Sequence, residues 1–466
     1  MEMNDKFQNA GFRRIMITAP QSGSGKTLIT SGLLRKFIKT GLNVSGAKCG
    51  PDYIDPMYHR MITNNSSINL DSYFVPQKEH LGEILRQALF YNRSDLCIIE
   101  GAMGFYDGLG GVQTTASAYE ISEMTNTPVV LVVDAKGASV SLAAVINGML
   151  QFRKNNICGV ILNRCSTMYY ERLKALVEEE CGIKVFGYLP ELKKLVIPSR
   201  HLGLVAPGEM EGALDWVDIL AEAVDQYIDT DAIYEAAGAV AEVEAAGVAN
   251  EAAAAAENLD IVRIAVARDN AFSFYYEENM IFLENRGVEI VYFSPINDKE
   301  LPEGISGIIL GGGYPELYAK ELSRNVTMLK SIKAALDGGM PFLAECGGFL
   351  YLQKHLESMN GKVYDMVGFF EGDGIKTNKL VRFGYAELEF RTDGCFGSEG
   401  CRLRVHEFHH WDCSDNGTAA IARKTNASEY SCMHYSNRYA AGFPHLYFEN
   451  NPQAIESWIK ICRGSR

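Results

Sequence analysis

The stretch Thr18-Ala19-Pro20-Gln21-Ser22-Gly23-Ser24-Gly25-Lys26-Thr27 is a glycine-rich loop ending in Gly-Lys-Thr. Such a loop turns backbone N–H groups toward phosphates, its lysine offsets the β/γ charge, and its threonine hydroxyl can complete a Mg²⁺ shell. Gly23, Ser24, Gly25, Lys26 and Thr27 are therefore candidate ATP contacts, and Thr27 is also a candidate metal ligand. Pro20 stands where the strict pattern has glycine, so the loop is a variant of that pattern. A second reactive stretch is Pro341-Phe342-Leu343-Ala344-Glu345-Cys346-Gly347-Gly348-Phe349, where an apolar strand meets a cysteine flanked by small residues and then a helix. That is the layout of a nucleophile elbow, whose sharp turn exposes the thiol while the helix behind it favours the thiolate. Of the eleven cysteines, Cys346 is the one in such a setting. A thiol nucleophile needs a base. His445 and the cluster His406-Glu407-Phe408-His409-His410 both offer one, and spacing does not choose between them. The cluster also suggests a metal, but His406 and His409 lack further ligands at finger-like spacing. Finally, Gly311, Gly312 and Gly313 free the backbone to present N–H groups to a developing oxyanion.

Apolar strand patterns lead into each of these groups. Arg13 to Thr18 (RRIMIT) precedes the phosphate loop, and Leu28 to Lys39 follows it with apolar residues at helical spacing. Asn43 to Lys48 (NVSGAK) runs into Cys49-Gly50-Pro51-Asp52-Tyr53-Ile54-Asp55-Pro56. The C-terminal edge of an open parallel sheet is where ligands bind, so Asp52 and Asp55 are placed for metal or substrate contact. Asp95 to Gly101 (DLCIIEG) ends on Glu100, which can hold Mg²⁺ directly or through water and would be costly to bury without a cation. A flexible loop, AMGFYDG, follows it. Pro128 to Ala135, Ile157 to Arg164 and Lys184 to Pro190 read as further strands, with a helix from Ser141, and Arg200-His201-Leu202-Gly203-Leu204 comes after them. Near-continuous Val/Ile/Leu strands alternating with helical patterns predict an α/β fold with a doubly wound parallel sheet covered on both faces.

From about Asp231 to Glu257 the composition turns to Ala, Glu, Gly and Val, with runs such as EAAAAAE. Alanine and glutamate favour helix, but so few large apolar residues cannot anchor one, which predicts a semi-flexible linker with helical tendency. The expected organisation is a phosphate-loop domain over 1–230, a linker over 231–257 and a second α/β domain over 258–466. That second domain opens with strand Val262 to Arg268, a helix from about Ser273, and strands Val288 to Phe293 and Gly307 to Leu310.

A chain of 466 residues with 47% hydrophobic content has ample material for two or three cores. No apolar run approaches the roughly 20 residues that span a bilayer, and the start MEMNDKFQNAGF carries no apolar signal segment, so a cytoplasmic enzyme with no membrane partner is expected. Cysteines without paired C-x-x-C spacing, several inside apolar strands, indicate reduced thiols. A net charge of -14, with no basic cluster, argues against nucleic acid as a partner.

Together APQSGSGKT, KCGPDYIDPMYH, IEGAMGFYDG, RHLGLV, GGGYPEL, AECGGFLYL and HEFHH resemble the cobyrinic acid a,c-diamide synthase family over nearly the whole chain. The resemblance implies a dethiobiotin-synthetase-like phosphate-loop domain fused to a class I glutamine amidotransferase domain. It implies ATP- and glutamine-dependent amidation of the a and c acetates of an anionic tetrapyrrole such as cobyrinic acid, in cobalamin synthesis. Lys26 and Thr27 then become phosphate and Mg²⁺ contacts, Asp52 and Glu100 metal-associated acids, and Asn163 the adenine-reading asparagine. Tyr53, Ile54, Asp55 and Asp107 fall where the family handles the tetrapyrrole carboxylate, while Cys346 matches the nucleophile and His445 the triad histidine. Many class I amidotransferases carry Glu two residues after that histidine; here the position is Tyr447, so the third member is absent or comes from elsewhere. Ni-sirohydrochlorin and hydrogenobyrinic acid stay open as acceptors, as does a homodimer. A nucleotide-switching ATPase of the partitioning type shares the phosphate loop but leaves Cys346 without purpose.

Overall fold

The computed structural model describes residues 13–192, 199–200, 203–204, 212–237 and 261–465. They fall in two compact units, Met1–Ala246 and Gly247–Arg466. Among the described residues no helix is long and apolar enough to cross a membrane.

The first unit alternates strand and helix from its first element. β1 (Arg13–Thr18), α1 (Lys26–Lys39), β2 (Val44–Cys49), α2 (Ile54–Thr63), β3 (Ile68–Leu70), α3 (Lys78–Asn92) and β4 (Leu96–Glu100) come first. They are followed by α4 (Ala118–Met124), β5 (Val129–Asp134), α5 (Val140–Gln151), β6 (Ile157–Asn163), α6 (Thr167–Cys181) and β7 (Lys184–Leu189). The strands form one seven-stranded sheet in the order β3-β2-β4-β1-β5-β6-β7. Every pairing is parallel. Strands such as IMIT and VVLVV are buried along their length because helices cover both faces, which is why they read as continuous apolar runs. β1 sits between β4 and β5, so the loop after β1 opens at the centre of the ligand-binding edge. Ser199–Arg200 and Gly203–Leu204 form a short antiparallel ladder (β8, β9), while His201 and Leu202 lie outside the described residues.

α7 (Ala213–Tyr227) buries Val217, Leu220, Ala221 and Val224 at helical spacing and packs on α1 at Gly32, where a Cβ would stand 2.6 Å from Val224. Arg35 binds Asp218 across this pair at 2.7 Å. The expected linker start at 231 needs correction: α8 (Thr230–Ala237) is a packed helix of the first unit. Ile233 and Ala237 are buried beside Phe37 and Ile15, and Arg13 lies over the Tyr234 ring at 4.4 Å. Two small anchors and an aromatic ring suffice because the groove was already made by α1 and β1. The remainder of that linker, 238–257, lies outside the described residues.

In the second unit β10 (Val262–Ala267), α9 (Glu277–Glu284), β11 (Val288–Phe293), β12 (Gly307–Leu310), α10 (Ala319–Arg324), α11 (Val326–Asp337), β13 (Phe342–Glu345) and α12 (Gly347–Tyr351) build a second doubly wound core. The helix expected from Ser273 begins only at Glu277. Ser273 and Phe274 instead donate backbone N–H groups to the Gly312 carbonyl, both at 3.1 Å, and so brace the glycine loop. Then comes a run of short strands: β14 (His355–Glu357), β15 (Val363–Asp365), β16 (Asp373–Lys376), β17 (Arg382–Phe390) and β18 (Arg402–His409). β19 (Trp411–Cys413), β20 (Ala420–Lys424), β21 (Glu429–Cys432), β22 (His434–Tyr435), β23 (Tyr439–Gly442), β24 (His445–Leu446) and α13 (Pro452–Arg463) complete the unit. The main sheet has the order β11-β10-β12-β13-β23-β22, and an antiparallel sheet β21-β20-β17-β18-β24 contributes to the same core.

Candidate active site

The phosphate loop follows from sterics at one residue. Gly25 caps α1 with φ 98°, and a Cβ there would fall 2.1 Å from the Asn163 amide, so only glycine lets the loop close on the helix. α1 begins at Lys26 with no side-chain cap, leaving its N-terminal N–H groups to face the loop's interior. The Lys26 ammonium donates to the carbonyls of Met103 (2.5 Å) and Gln21 (3.4 Å). Burial and the neighbouring Lys48 push its pKa down to about 8. Asn163, expected to read adenine, lies at the end of β6 and donates its amide to the Ser24 carbonyl at 2.7 Å, a loop-shaping contact.

Behind the loop the ends of β2, β4 and α2 converge. Thr27 donates to Glu100 Oε1 at 2.6 Å, and Lys48 reaches both Glu100 Oε1 (3.0 Å) and Asp55 Oδ2 (2.5 Å). His59 Nε2 meets Glu100 Oε2 at 3.1 Å and its Nδ1 meets Ser67 at 3.1 Å. Burial alone would raise the Glu100 pKa, but Lys48, His59 and Thr27 outweigh it and hold the carboxylate well below its usual range. Asp55 moves the other way, raised by burial and by Glu100. Lys48 stays charged because the two acids overcome its own desolvation. Sequence pattern assigns no role to Lys48 or His59, although a lysine one residue before the end of the buried strand VSGAKC is a signal that marks the first of them. Removing it strands two buried acids. Lys48→Met should therefore destabilise this unit by about 3–5 kcal/mol in denaturant unfolding followed by Trp fluorescence.

The other expected ligands hold the surrounding backbone. Asp52 Oδ1 accepts the N–H groups of Ile54 (2.8 Å) and Asp55 (3.1 Å) at the start of α2. Asp107 is exposed and accepts the Gly104 N–H at 2.9 Å. Ile54 is buried and Tyr53 half-buried at the N-terminus of α2. A Mg²⁺ ion fits the donor set: Thr27 and Glu100 give one hydroxyl and one carboxylate side by side, and Mg²⁺ takes few protein oxygens when phosphates and waters complete its octahedron.

In the second unit Cys346 stands between β13 and α12 with φ 48° and ψ -103°, a strained geometry for a residue with a side chain. The turn is that tight because Gly348 passes against β12, where a Cβ would lie 2.1 Å from the Leu310 carbonyl. Of the two candidate bases, His445 is the one whose charge responds to the Cys346 thiol, and Glu345 Oε2 lies 3.5 Å from His445 Nδ1. Burial alone would lower the His445 pKa, but Cys346 and Glu345 outweigh it and raise it to about 10. An imidazolium facing the sulfur is the partner a thiolate nucleophile uses. Position 447 is Tyr, and the carboxylate beside His445 comes instead from Glu345, the residue just before Cys346. The sign of its effect is testable. Without the carboxylate His445 loses its proton at lower pH, so Glu345→Gln should shift the alkaline limb of the glutaminase pH profile downward from about 10.

His406 sits opposite His445 in the β18–β24 register, and burial with the His445 charge pushes its pKa down to about 3. His409 donates Nδ1–H to the Trp411 carbonyl at 2.6 Å and stacks on Phe443 with ring centroids 3.8 Å apart. One expected oxyanion donor needs correction: the Gly311 N–H donates to the Tyr275 hydroxyl at 2.9 Å, and the Gly311 carbonyl accepts from Gly348. The Cys346 N–H is likewise taken, by the Gly442 carbonyl at 2.8 Å. Gly313 is the loop residue drawn against the elbow, its N lying 3.1 Å from where a Cβ on Gly347 would stand.

Residues 15–205 match the CobQ/CobB/MinD/ParA nucleotide binding domain, and residues 263–453 match the CobB/CobQ-like glutamine amidotransferase domain. The cobyrinate a,c-diamide synthase of Clostridium tetani is 38% identical over 457 residues, covering 96% of this chain and 100% of that one. That of Caldanaerobacter subterraneus subsp. tengcongensis is 38% identical over 458 residues, covering 97% of this chain and 98% of its own. Among solved structures, the MinD cell division protein of Aquifex aeolicus overlays 48% of this chain and 94% of its own at 16% identity, with a TM-score of 0.30. With a nucleotide-binding domain followed by a glutamine amidotransferase domain, and full-length identity to such relatives, the chain belongs to the cobyrinate a,c-diamide synthase family.

Proposed function

We propose that this chain converts the a and c acetate side chains of cobyrinic acid to amides, using ATP and glutamine, in cobalamin biosynthesis. The supporting observation is that one chain carries both Lys26 and Thr27 over a buried Glu100–Lys48–Asp55 cluster and a Cys346–His445–Glu345 set. The acceptor is inferred from the name of the relatives.

ATP turns an unreactive carboxylate into an acyl phosphate, and ammonia then displaces phosphate to leave the amide. Lys26 and the N–H groups opening α1 hold the phosphates. Thr27, Glu100 and Asp52 are the residues that would hold Mg²⁺, which when bound offsets phosphate charge so that a carboxylate can approach. Tyr53, Ile54, Asp55 and Asp107 face the tetrapyrrole carboxylate, and Lys48 keeps that acidic wall from repelling it. Asn163 reads adenine only once its amide leaves Ser24. In the other unit the Cys346 thiolate attacks the glutamine carboxamide, His445 protonates the departing ammonia, and water hydrolyses the thioester to glutamate. N–H groups of Gly312, Gly313 and Gly347 are the donors that stabilise the oxyanion.

The test is turnover of the purified full chain with ATP, glutamine and, side by side, cobyrinic acid, hydrogenobyrinic acid and Ni-sirohydrochlorin. Two successive amide products from cobyrinic acid are expected. Amidation of another tetrapyrrole alone would replace the acceptor, and ATP hydrolysis without any amide would remove the ligase reading.

A further inference from the structure

β17 and β18 pair with Arg382 opposite His409 and Gly384 opposite Glu407. Along β18, Leu403, Val405, Glu407 and His409 alternate onto one face, and Leu403 and Val405 there belong to the apolar core. Polar groups thus enter the end of a hydrophobic layer. Glu407 is 1% exposed and His409 4%, yet Glu407 Oε1, His409 Nε2 and Arg382 Nη1 are buried without a hydrogen-bond partner among the described residues. Three such orphans together need an explanation, because each buried polar group left unmatched costs free energy.

Their chemistry is specific. His409 donates Nδ1–H to the Trp411 carbonyl, so in the neutral ring Nε2 is a lone-pair acceptor. Burial keeps that ring neutral, lowering its pKa to about 4. Glu407 receives the Tyr430 hydroxyl on Oε2 at 2.5 Å and leaves Oε1 as a second acceptor. Arg382, stacked 4.1 Å over the Tyr430 ring, leaves Nη1 as a donor. Two acceptors and one cationic donor match an ammonium and a carboxylate carried on the same carbon. Room exists beside them, since a Cβ built on Gly384 would meet nothing within 4 Å. The cluster also adjoins the nucleophile: His409 stacks on Phe443, the residue after Gly442, and Gly442 pairs with Glu345 immediately before Cys346.

We propose that Glu407 and His409 bind the α-ammonium of glutamine and Arg382 its α-carboxylate, which makes these residues the amino-acid selectivity site of the second unit. This rests on glutamine being hydrolysed at Cys346. The reacting carboxamide then lies toward Cys346 and His445 while the zwitterionic head is held on β17 and β18.

The test compares hydrolysis by the full chain, with ATP and acceptor present, of glutamine, glutaramic acid (no α-amino group) and 4-aminobutanamide (no α-carboxylate). Glu407→Gln should reduce the kcat/KM preference for glutamine over glutaramic acid by about 10- to 100-fold, the worth of a charge-assisted hydrogen bond, and keep the preference over 4-aminobutanamide. Arg382→Met should give the reverse pattern, and it decides the matter by itself if Glu407→Gln does not fold. Preferences unchanged from the wild type, or a proportional fall for all three substrates in variants with a normal unfolding transition, would overturn the subsite and leave the function standing. A wild-type chain that hydrolyses no glutamine would overturn the function and the subsite together.

Discussion

Cys346→Ser should be nearly inactive with glutamine, by at least about 1000-fold, and should still amidate its tetrapyrrole when given ammonium salt at a pH where some NH₃ is free. Serine keeps the side chain's volume and the strained turn at φ 48°. What changes is the nucleophile. A thiol gives way to a hydroxyl, which ionises far less readily, so His445 no longer faces a sulfur nucleophile. The amidation proposed at Lys26, Thr27 and Glu100 belongs to the other compact unit, so it should persist. The measurement is amide product by mass spectrometry with each nitrogen source. Loss of both activities in a folded variant would refute two separable sites, and retained glutamine use would assign the nucleophile to another cysteine.

Lys26→Ala should lower amidation by about 1000-fold or more with glutamine and with ammonium alike, because the loop loses the cation that meets the phosphates. Its ammonium rests on the Met103 and Gln21 carbonyls, poised at the loop with most of its surface already desolvated. A preorganised charge of this kind acts without rearranging solvent at the moment of transfer. ADP release and amide formation should fall together. Activity near the wild-type rate would remove Lys26 from the phosphate site, and rescue by ammonium alone would move its effect to glutamine hydrolysis.

The sequence was most informative where chemistry and geometry are local. The Gly-Lys-Thr loop between a strand and a helix, Glu100 closing an apolar strand, and Cys346 between an apolar strand and small residues are each written within about ten consecutive positions. Backbone sterics at those positions leave few conformations, and the parallel sheet follows from strands apolar on both faces. Tertiary structure decided whatever required two distant segments to meet. His445 stands at Cys346, while His406 and His409, equally eligible by type, are turned to neutral buried positions on β18. Glu345 lies 3.5 Å from His445 although no spacing rule links them. Gly311 gives its N–H to Tyr275, and Lys48 closes on Asp55 and Glu100. α8 packs as a helix of the first unit because a groove there buries Ile233 and Ala237; its Ala/Glu composition gave only the helical tendency. Local pattern encodes what one segment can become; which donor meets which acceptor is set by the packing of elements far apart in the chain, where burial makes each unmatched polar group costly.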